Sequence, residues 1–358
     1  MRYEQLYLMK KTTVLTFLFL LFISLPFSSF AISPLYSPLP ALSARNLAVI
    51  VNDEDPDSVE IARYYQQRRQ IPETNILHVR FKPGIKVLPV DQFQKIKKQL
   101  DDITPEHIQA YALTWTLPFR VGCMSITTAF AAGYDEKFCA RGCKATRLSP
   151  YFNSQSTKPY TDFKWRPTMA LAGQNTAEVK ALIDRGVASD YNHPIGTAYL
   201  LTTSDKARST RSRLYPGIAK FFGGLWPISI LKQDYIENKL DVMFYFTGKT
   251  HIPKIETNFY FPGAIADHLT SSGGVLSGSK QMSILKWIEA GVTGSYGAVV
   301  EPCNFIQKFP NPGIVMLNYL RGNTLIEAYW KSVAWPGQGI FIGEPLAKPF
   351  AYPSTIRK

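Results

Sequence analysis

The last third of the chain, Asp241–Phe350, constrains the fold more than any other stretch. It opens with an apolar and aromatic run that ends at Gly248 and is too short for a typical helix, so it indicates a buried strand. A second strand-like run, Gly294–Val300, stops at Glu301, and helical patterns lie between and after the two. This alternation predicts an α/β fold with a mostly parallel sheet flanked by helices on both faces. Its ligand edge is expected beyond the carboxyl ends of the strands.

Residues 1–31 are predicted to be a secretory signal peptide. Basic residues precede the apolar run Val14–Leu25, and small residues at Ser29 and Ala31 fit a cleavage site. The apolar run is too short to span a bilayer as a helix. We therefore expect an exported protein, periplasmic or extracellular, with no transmembrane segment after the signal is removed.

The remaining chain, 32–358, is predicted to be a single α/β domain that contains an irregular insertion at 118–165. The first strand is expected at Asn46–Asn52, and the helix after it to begin at Ser58. The carboxylates of Asp53–Asp57 suit a metal or substrate site at the sheet edge. Alternatively, Asp57 caps that helix and Glu60, three residues later, reaches back to it. We prefer this capping interpretation.

Cysteine usage predicts at least one disulfide. Cys123, Cys139 and Cys143 lie in the insertion, and an oxidising compartment favours a bridge among these three. If two of them pair, Cys303 can remain a free thiol, although the sequence does not choose among the full pairings. Cys139 and Cys143 lack a partner pair at zinc-ligand spacing, so we expect no metal site, and no motif indicates a cofactor.

Several reaction classes are made less probable by missing motifs. The chain has no phosphate-binding glycine loop with lysine, no serine nucleophile elbow, no zincin pair and no dinucleotide-binding glycine motif. The net charge of +13 suits an anionic polymer or lipid surface, but we prefer the simpler interpretation of a soluble surface with surplus lysine. The basic run Lys206–Arg213 has no interleaved aromatic residues, so we expect no specific nucleic-acid partner. A peptide or a cell-envelope polymer is the partner class left open.

One pair of residues suggests nucleophilic catalysis. His251 and Cys303 each follow the end of a predicted strand, so parallel strands would bring them to the same edge of the sheet. A thiolate nucleophile needs a nearby base, which gives Cys303 the role of nucleophile and His251 the role of base. Glu301 or Asn304 would orient the histidine. The alternative is an inert buried thiol and an ordinary loop histidine.

The segment 241–350 resembles the caspase-like clan, in particular gingipain-type peptidases and CHAT domains. The resemblance rests on the strand and helix order, on the run Trp287–Gly297, on Leu320–Ala328, and on the closing Gly343-Glu344-Pro345. It implies a caspase-like fold and a thiol peptidase. In that clan the base follows a strand directly in a glycine-flanked turn, and the nucleophile would fall near Ser271-Ser272-Gly273, where this chain has no cysteine.

The whole mature chain also resembles a family of exported bacterial proteins of similar length to which no activity is assigned. That resemblance rests on Asn46–Pro72, Pro262–Asn304 and Gly322–Phe350. Two functions therefore remain open from the sequence. One is a thiol hydrolase or peptidase, and the other is a non-catalytic envelope or binding protein that retains the fold without the catalytic pair.

Overall fold

The computed structural model describes residues 42–140 and 142–353, all of which belong to one compact unit. The predicted signal peptide, 1–31, lies outside the described residues. Thirteen strands are described: β1 Leu47–Asn52, β2 Ile76–Val79, β3 Val87–Leu88, β4 Ala110–Leu113, β5 Arg120–Val121, β6 Met124–Ser125, β7 Thr168–Ala170, β8 Thr197–Leu201, β9 Ile228–Leu231, β10 Val242–Thr247, β11 Tyr260–His268, β12 Gly294–Ala298 and β13 Gly339–Gly343.

Nine α-helices connect these strands in the described part of the chain. They are α1 Pro56–Arg69, α2 Val90–Ile103, α3 Ile126–Ala132, α4 Pro159–Phe163, α5 Thr176–Ser189, α6 Tyr215–Phe222, α7 Leu285–Glu289, α8 Pro312–Leu320 and α9 Leu325–Ser332. The longest helices pack on the sheet and on each other. Helix α1 packs against α5 and β1, and α9 packs against α8 and β13.

Ten strands form one sheet in the order β2-β1-β4-β7-β13-β12-β11-β10-β8-β9. The α/β class and the mostly parallel sheet expected from the sequence are thus confirmed. Strands β1 and β10 are buried along their whole length, as expected for strands covered on both faces. The remaining strands, β3, β5 and β6, make a small separate sheet.

The same strand order occurs twice in the large sheet. β2-β1-β4-β7 is one half, and β9-β8-β10-β11 repeats that order from the opposite side, with β13 and β12 between the halves. Within each half the neighbouring strands are parallel. The sequence shows no internal repeat, so the two halves share a topology without sharing a recognisable pattern of residues.

Strand β13 is the antiparallel member of the sheet. It pairs with β12 along its whole length, from Gly339 opposite Ala298 to Gly343 opposite Gly294. One residue pair, Ile342 with Ala170, joins β13 to β7 in a parallel pattern. The contacts at the end of β13 show instead that it runs antiparallel to β7. Glu344, directly after β13, contacts Arg69 at the end of α1, which returns to the amino-terminal edge of the sheet. We therefore take β13 to run against both neighbours.

The predicted insertion at 118–165 is less irregular than expected. It holds β5, β6, α3 and the short α4. Helix α3 packs against β4, β7 and β13, so this part of the segment belongs to the core of the fold. The periodicity was not visible in the sequence because these elements are short and the strands have only two residues each.

Candidate functional site

Loops after four strands meet in one cleft, which we call the first cavity. It has a volume of about 350 Å³ and lies beyond the carboxyl ends of β1, β4 and β7, with the loop after β11 closing one side. Its polar lining residues are Asp55, Asp57, Thr114, Thr116, Gln174, Asn175, Thr176 and Ser277. Carboxyl edges of parallel strands are the usual ligand sites of such sheets.

Two helices begin at the first cavity. The side chain of Asp55 caps α1 by accepting a hydrogen bond from the amide of Asp57 at 3.1 Å. Asn175 caps α5 by accepting from the amide of Glu178 at 3.0 Å. The preferred capping interpretation of the acidic turn is therefore correct in kind, but the capping residue is Asp55 rather than Asp57, because α1 starts at Pro56. Burial raises the pKa of the Asp55 carboxyl, and the charge of Asp57 adds to that effect.

A second cavity of about 320 Å³ lies beyond the carboxyl ends of β8, β11 and β12. Its lining includes Arg208, Thr270, Ser271, Glu301, Cys303 and Asn304. Arg208 crosses it by donating through Nε to the hydroxyl of Thr270 at 3.1 Å, while its other end pairs with Asp205 at 2.8 Å. Three of the four residues assigned to a catalytic site from the sequence thus line one cavity. The fourth, His251, is not among its lining residues.

Both disulfides of the structure involve the insertion. Cys123 pairs with Cys139, which confirms the expected bridge among the first three cysteines. Cys143 pairs with Cys303, so Cys303 is not the free thiol that the sequence left open. No free cysteine is present in the described part of the chain. The sequence could not show this pairing because the two cysteines are 160 positions apart.

The proposed catalytic pair is not assembled in this oxidised structure. His251 is exposed in the loop after β10, and the hydrogen bonds between described residues include none from its ring to Cys303. Glu301 accepts from the backbone amide of Cys303 at 2.7 Å, and the carbonyl of Asn304 accepts from Thr210. Neither residue orients the histidine through these contacts. The catalytic assignment of these four residues stays a prediction, restricted to a reduced chain.

The loop after β11 occupies the position at which the clan resemblance places a nucleophile. It carries Ser271 in the second cavity and Ser272 beside it. The Ser272 hydroxyl lies 3.1 Å from that of Ser279, and its amide donates to Gln281. Ser272 is therefore held by a neighbouring hydroxyl and by a side-chain amide.

His268, at the end of β11, is fixed in a neutral form. Its Nδ1 accepts a hydrogen bond from the Trp287 indole N–H at 2.9 Å, which leaves Nε2 to donate to the carbonyl of Met282 at 3.1 Å. Burial lowers the pKa of His268 to about 3. A ring held this way cannot serve as a base for the second cavity, and its role is structural.

A fully buried ion pair joins Arg211 to Asp267 at 2.6 Å, directly beneath the second cavity's edge of the sheet. Arg211 also donates to the carbonyls of Thr247 and Pro310. Burial raises the pKa of the Asp267 carboxyl, an effect that the Arg211 charge opposes. Sequence reasoning missed this pair, although a carboxylate within the apolar run Phe261–Leu269 was a signal that a buried partner exists.

The loops after β8, β9 and β10 are tied together by polar contacts. Asp234 pairs with Lys249 and accepts from the backbone amide and the hydroxyl of Ser204. The hydrogen bond from Lys249 and the amide of Ser204 lower the pKa of Asp234 to about 2. These contacts hold the loops after β8, β9 and β10 together at the carboxyl edge of the sheet.

The described residues form no metal site and no membrane-spanning helix. Among residues 42–140 and 142–353, no group of three or more histidine, cysteine, aspartate or glutamate side chains is placed to hold a metal ion. Over the same residues, every helix is too short or too polar to cross a bilayer.

Comparison with known proteins gives a small set of findings. No protein-family model matches the chain, and no curated protein matches it significantly. The arginine-specific cysteine proteinase gingipain R is similar with a TM-score of 0.45 and 9% identity, over 87% of this chain and 80% of that chain. A complex of the pro- and mature domains of RgpB from Porphyromonas gingivalis is similar with a TM-score of 0.46 and 9% identity, over 85% and 79%.

At these TM-scores the likeness to gingipain does not establish a shared activity, and we base no residue role on it. The resemblance of the whole chain to a family of exported proteins likewise gains no support from the comparisons.

Proposed function

We propose that the oxidised protein is an exported binding protein without thiol peptidase activity. One observation carries this proposal, namely the disulfide between Cys143 and Cys303. A thiolate, not a disulfide sulfur, is the nucleophile of a thiol peptidase. The second disulfide, Cys123–Cys139, supports an oxidising compartment, since such bridges persist mainly outside the cytosol.

The first cavity is the proposed ligand site. It lies where open α/β sheets usually bind ligands, and its volume of about 350 Å³ is in the range of small-molecule pockets, roughly 300–1,000 Å³. Its polar lining comes from loops after β1, β4, β7 and β11, so four separate segments converge on one space. Convergence of this kind suits recognition of a compact ligand.

The proposal is tested by measuring peptide hydrolysis with the disulfides intact. We expect the native protein to release no product above background from a mixture of fluorogenic peptides, and the Cys303→Ser variant to behave identically. Hydrolysis by the wild type that disappears in Cys303→Ser would contradict the proposal. The matched control is Cys139→Ser, which opens the other disulfide and leaves position 303 bonded to Cys143.

A second candidate function is a thiol hydrolase that is active only after reduction. It is favoured by the position of the Cys143–Cys303 disulfide in the lining of the second cavity, beside Arg208 and Glu301. Reduction would place a thiol there, and the nearby guanidinium would favour its thiolate form. His251 is the base that this candidate requires.

Iodoacetamide labelling distinguishes this candidate from the binding protein. After mild reduction, a catalytic Cys303 should react quickly near neutral pH, and His251→Ala should slow its labelling without changing that of Cys123. Equal labelling rates of Cys303 in the wild type and in His251→Ala would rule out the thiol hydrolase and leave the binding protein. Peptide mapping assigns each label to its cysteine.

A further inference from the structure

We infer that the first cavity binds a hydroxyl-rich ligand of about one sugar ring, neutral or cationic, and rejects an anionic one. This inference rests on the proposed binding function. Its lining offers hydrogen-bond donors and acceptors together with an apolar wall, and a sugar ring presents hydroxyl groups at its rim and C–H groups on its faces. The volume of about 350 Å³ is at the small end of ligand pockets.

Hydrogen-bonding capacity in the first cavity is unused in the described structure. The amide of Gln174 and the Nδ2 of Asn175, both exposed, and the hydroxyls of Thr176 and Ser277 line it and make no hydrogen bond to another described residue. Each amide both donates and accepts, and each hydroxyl does the same. A ligand that carries several hydroxyls can satisfy both kinds of group at once, whereas an apolar ligand would leave them unpaired.

Charge in the first cavity favours a neutral or cationic ligand. Asp55 and Asp57 line it, while no lysine, arginine or histidine of the described chain does. The amino-terminal ends of α1 and α5 attract anions. At α1 the carboxylate of Asp55 already takes the place of such an anion. At α5 the carboxamide oxygen of Asn175 accepts a hydrogen bond from the first turn. A carboxylate on the ligand would meet two like charges, whereas hydroxyl or ammonium donors would meet acceptors.

An apolar wall completes the first cavity. Ile61, Val179, Leu276 and Leu285, all buried, contribute to its lining. Trp115 also lines it, is only 2% exposed, and has an indole N–H without a partner among the described residues. Apolar and aromatic surface next to fixed hydrogen-bonding groups holds the C–H face of a ring while the polar groups orient it.

Three sugars that share one ring and differ in charge test the inference. Glucose, glucosamine and glucuronate are titrated against the full-length native protein by NMR, with ligand signals and protein chemical shifts both recorded. We expect glucose and glucosamine to shift resonances of the first cavity and glucuronate to bind at least tenfold more weakly. Asp57→Asn should weaken glucosamine binding by roughly tenfold, as loss of a charged hydrogen-bond acceptor does.

The matched control is Asp102→Asn, an exposed carboxylate at the end of α2, which should leave all three affinities unchanged. Glucuronate binding as tightly as glucose would overturn the inference, as would a failure of all three sugars to bind. Binding that Asp57→Asn does not affect but Ser271→Ala abolishes would move the site to the second cavity, which also overturns it. None of these results depends on peptide hydrolysis, so the proposed lack of peptidase activity is judged separately.

Discussion

At the residue scale, His268 shows how burial decides the role of a titratable side chain. The ring is held between the Trp287 indole and the Met282 carbonyl, and both contacts require a neutral imidazole with its proton on Nε2. In the unfolded chain the pKa of histidine is near 6.5, whereas in the folded protein burial lowers it to about 3. Between these values the unfolded state binds the additional proton, so acid favours unfolding.

The first prediction concerns this histidine and the pH dependence of stability. Below pH 6.5 the free energy of unfolding should fall by about 1.4 kcal/mol per pH unit from this group alone, down to about pH 3. His268→Gln cannot take up the proton, so its stability should depend less steeply on pH over that window. Urea unfolding at several pH values measures the slope.

The control is Leu285→Ala, which opens a cavity in the neighbouring core but removes no titrating group. It should lower stability at every pH and keep the wild-type slope. If His268→Gln also keeps the wild-type slope, the ring is not the group whose protonation opposes folding.

The sequence placed Cys303 and His251 correctly along the chain but did not show the bonding state of Cys303. Cys303 and His251 do follow strands of one sheet. This could be predicted because each strand is an apolar run that stops at a polar residue. The partner of Cys303 was not visible, since pairing with Cys143 depends on the position of a loop in three dimensions. Asp267 and His268 lie at the end of β11, a nine-residue strand whose last six residues are buried. The pairing of Asp267 with Arg211 across the core leaves no periodic pattern of residues in the sequence.

At the scale of elements, helix α5 shows packing overriding intrinsic propensity. Gly186 lies on its buried side, and a Cβ added there would approach the side chain of Glu344 to within 2.5 Å of its Cβ. Glu344 is itself fixed, because it accepts from the Tyr65 hydroxyl at 2.6 Å and pairs with Arg69. The close approach of α5 to β13 therefore requires a residue without a side chain.

The second prediction compares this glycine with one that has free space. Gly186→Ala should destabilise the protein by about 1–3 kcal/mol, as overpacking does, even though alanine favours helix. Gly217→Ala in α6 meets no atom within 4 Å and should stabilise it by up to about 1 kcal/mol. Thermal and urea unfolding of both variants measure the difference. Stabilisation by both substitutions would show that α5 can move away from Glu344.

Elements of the fold were predicted well where strands are long and poorly where they are short. β1 and β10 stood out as apolar runs of buried residues. The segment 118–165 was taken as irregular because β5 and β6 have two residues each and carry no periodicity. Helix α7 spans only Leu285–Glu289, since Gln281, four residues before it, accepts from Thr270 and from the amide of Ser272.

At the scale of the whole molecule, the two disulfides constrain very different lengths of chain. Cys123–Cys139 closes a loop within the insertion, with a sequence separation of 16, whereas Cys143–Cys303 joins the insertion to the loop after β12, with a separation of 160. The longer bridge encloses β7 to β12 of the large sheet. In the chain-entropy model a disulfide stabilises by restricting the unfolded state, and the effect grows with the logarithm of the loop length.

The last prediction follows from this difference. Replacing both cysteines of the long bridge, Cys143→Ser with Cys303→Ser, should lower the free energy of unfolding by about 5 kcal/mol, whereas Cys123→Ser with Cys139→Ser should lower it by about 3 kcal/mol. Urea unfolding under oxidising conditions measures both losses. The two values can be compared if the free energy of unfolding falls with urea concentration at the same slope in both variants. A larger loss from the short bridge would show that contacts within the insertion, rather than closure of the chain across half the sheet, hold the second cavity together.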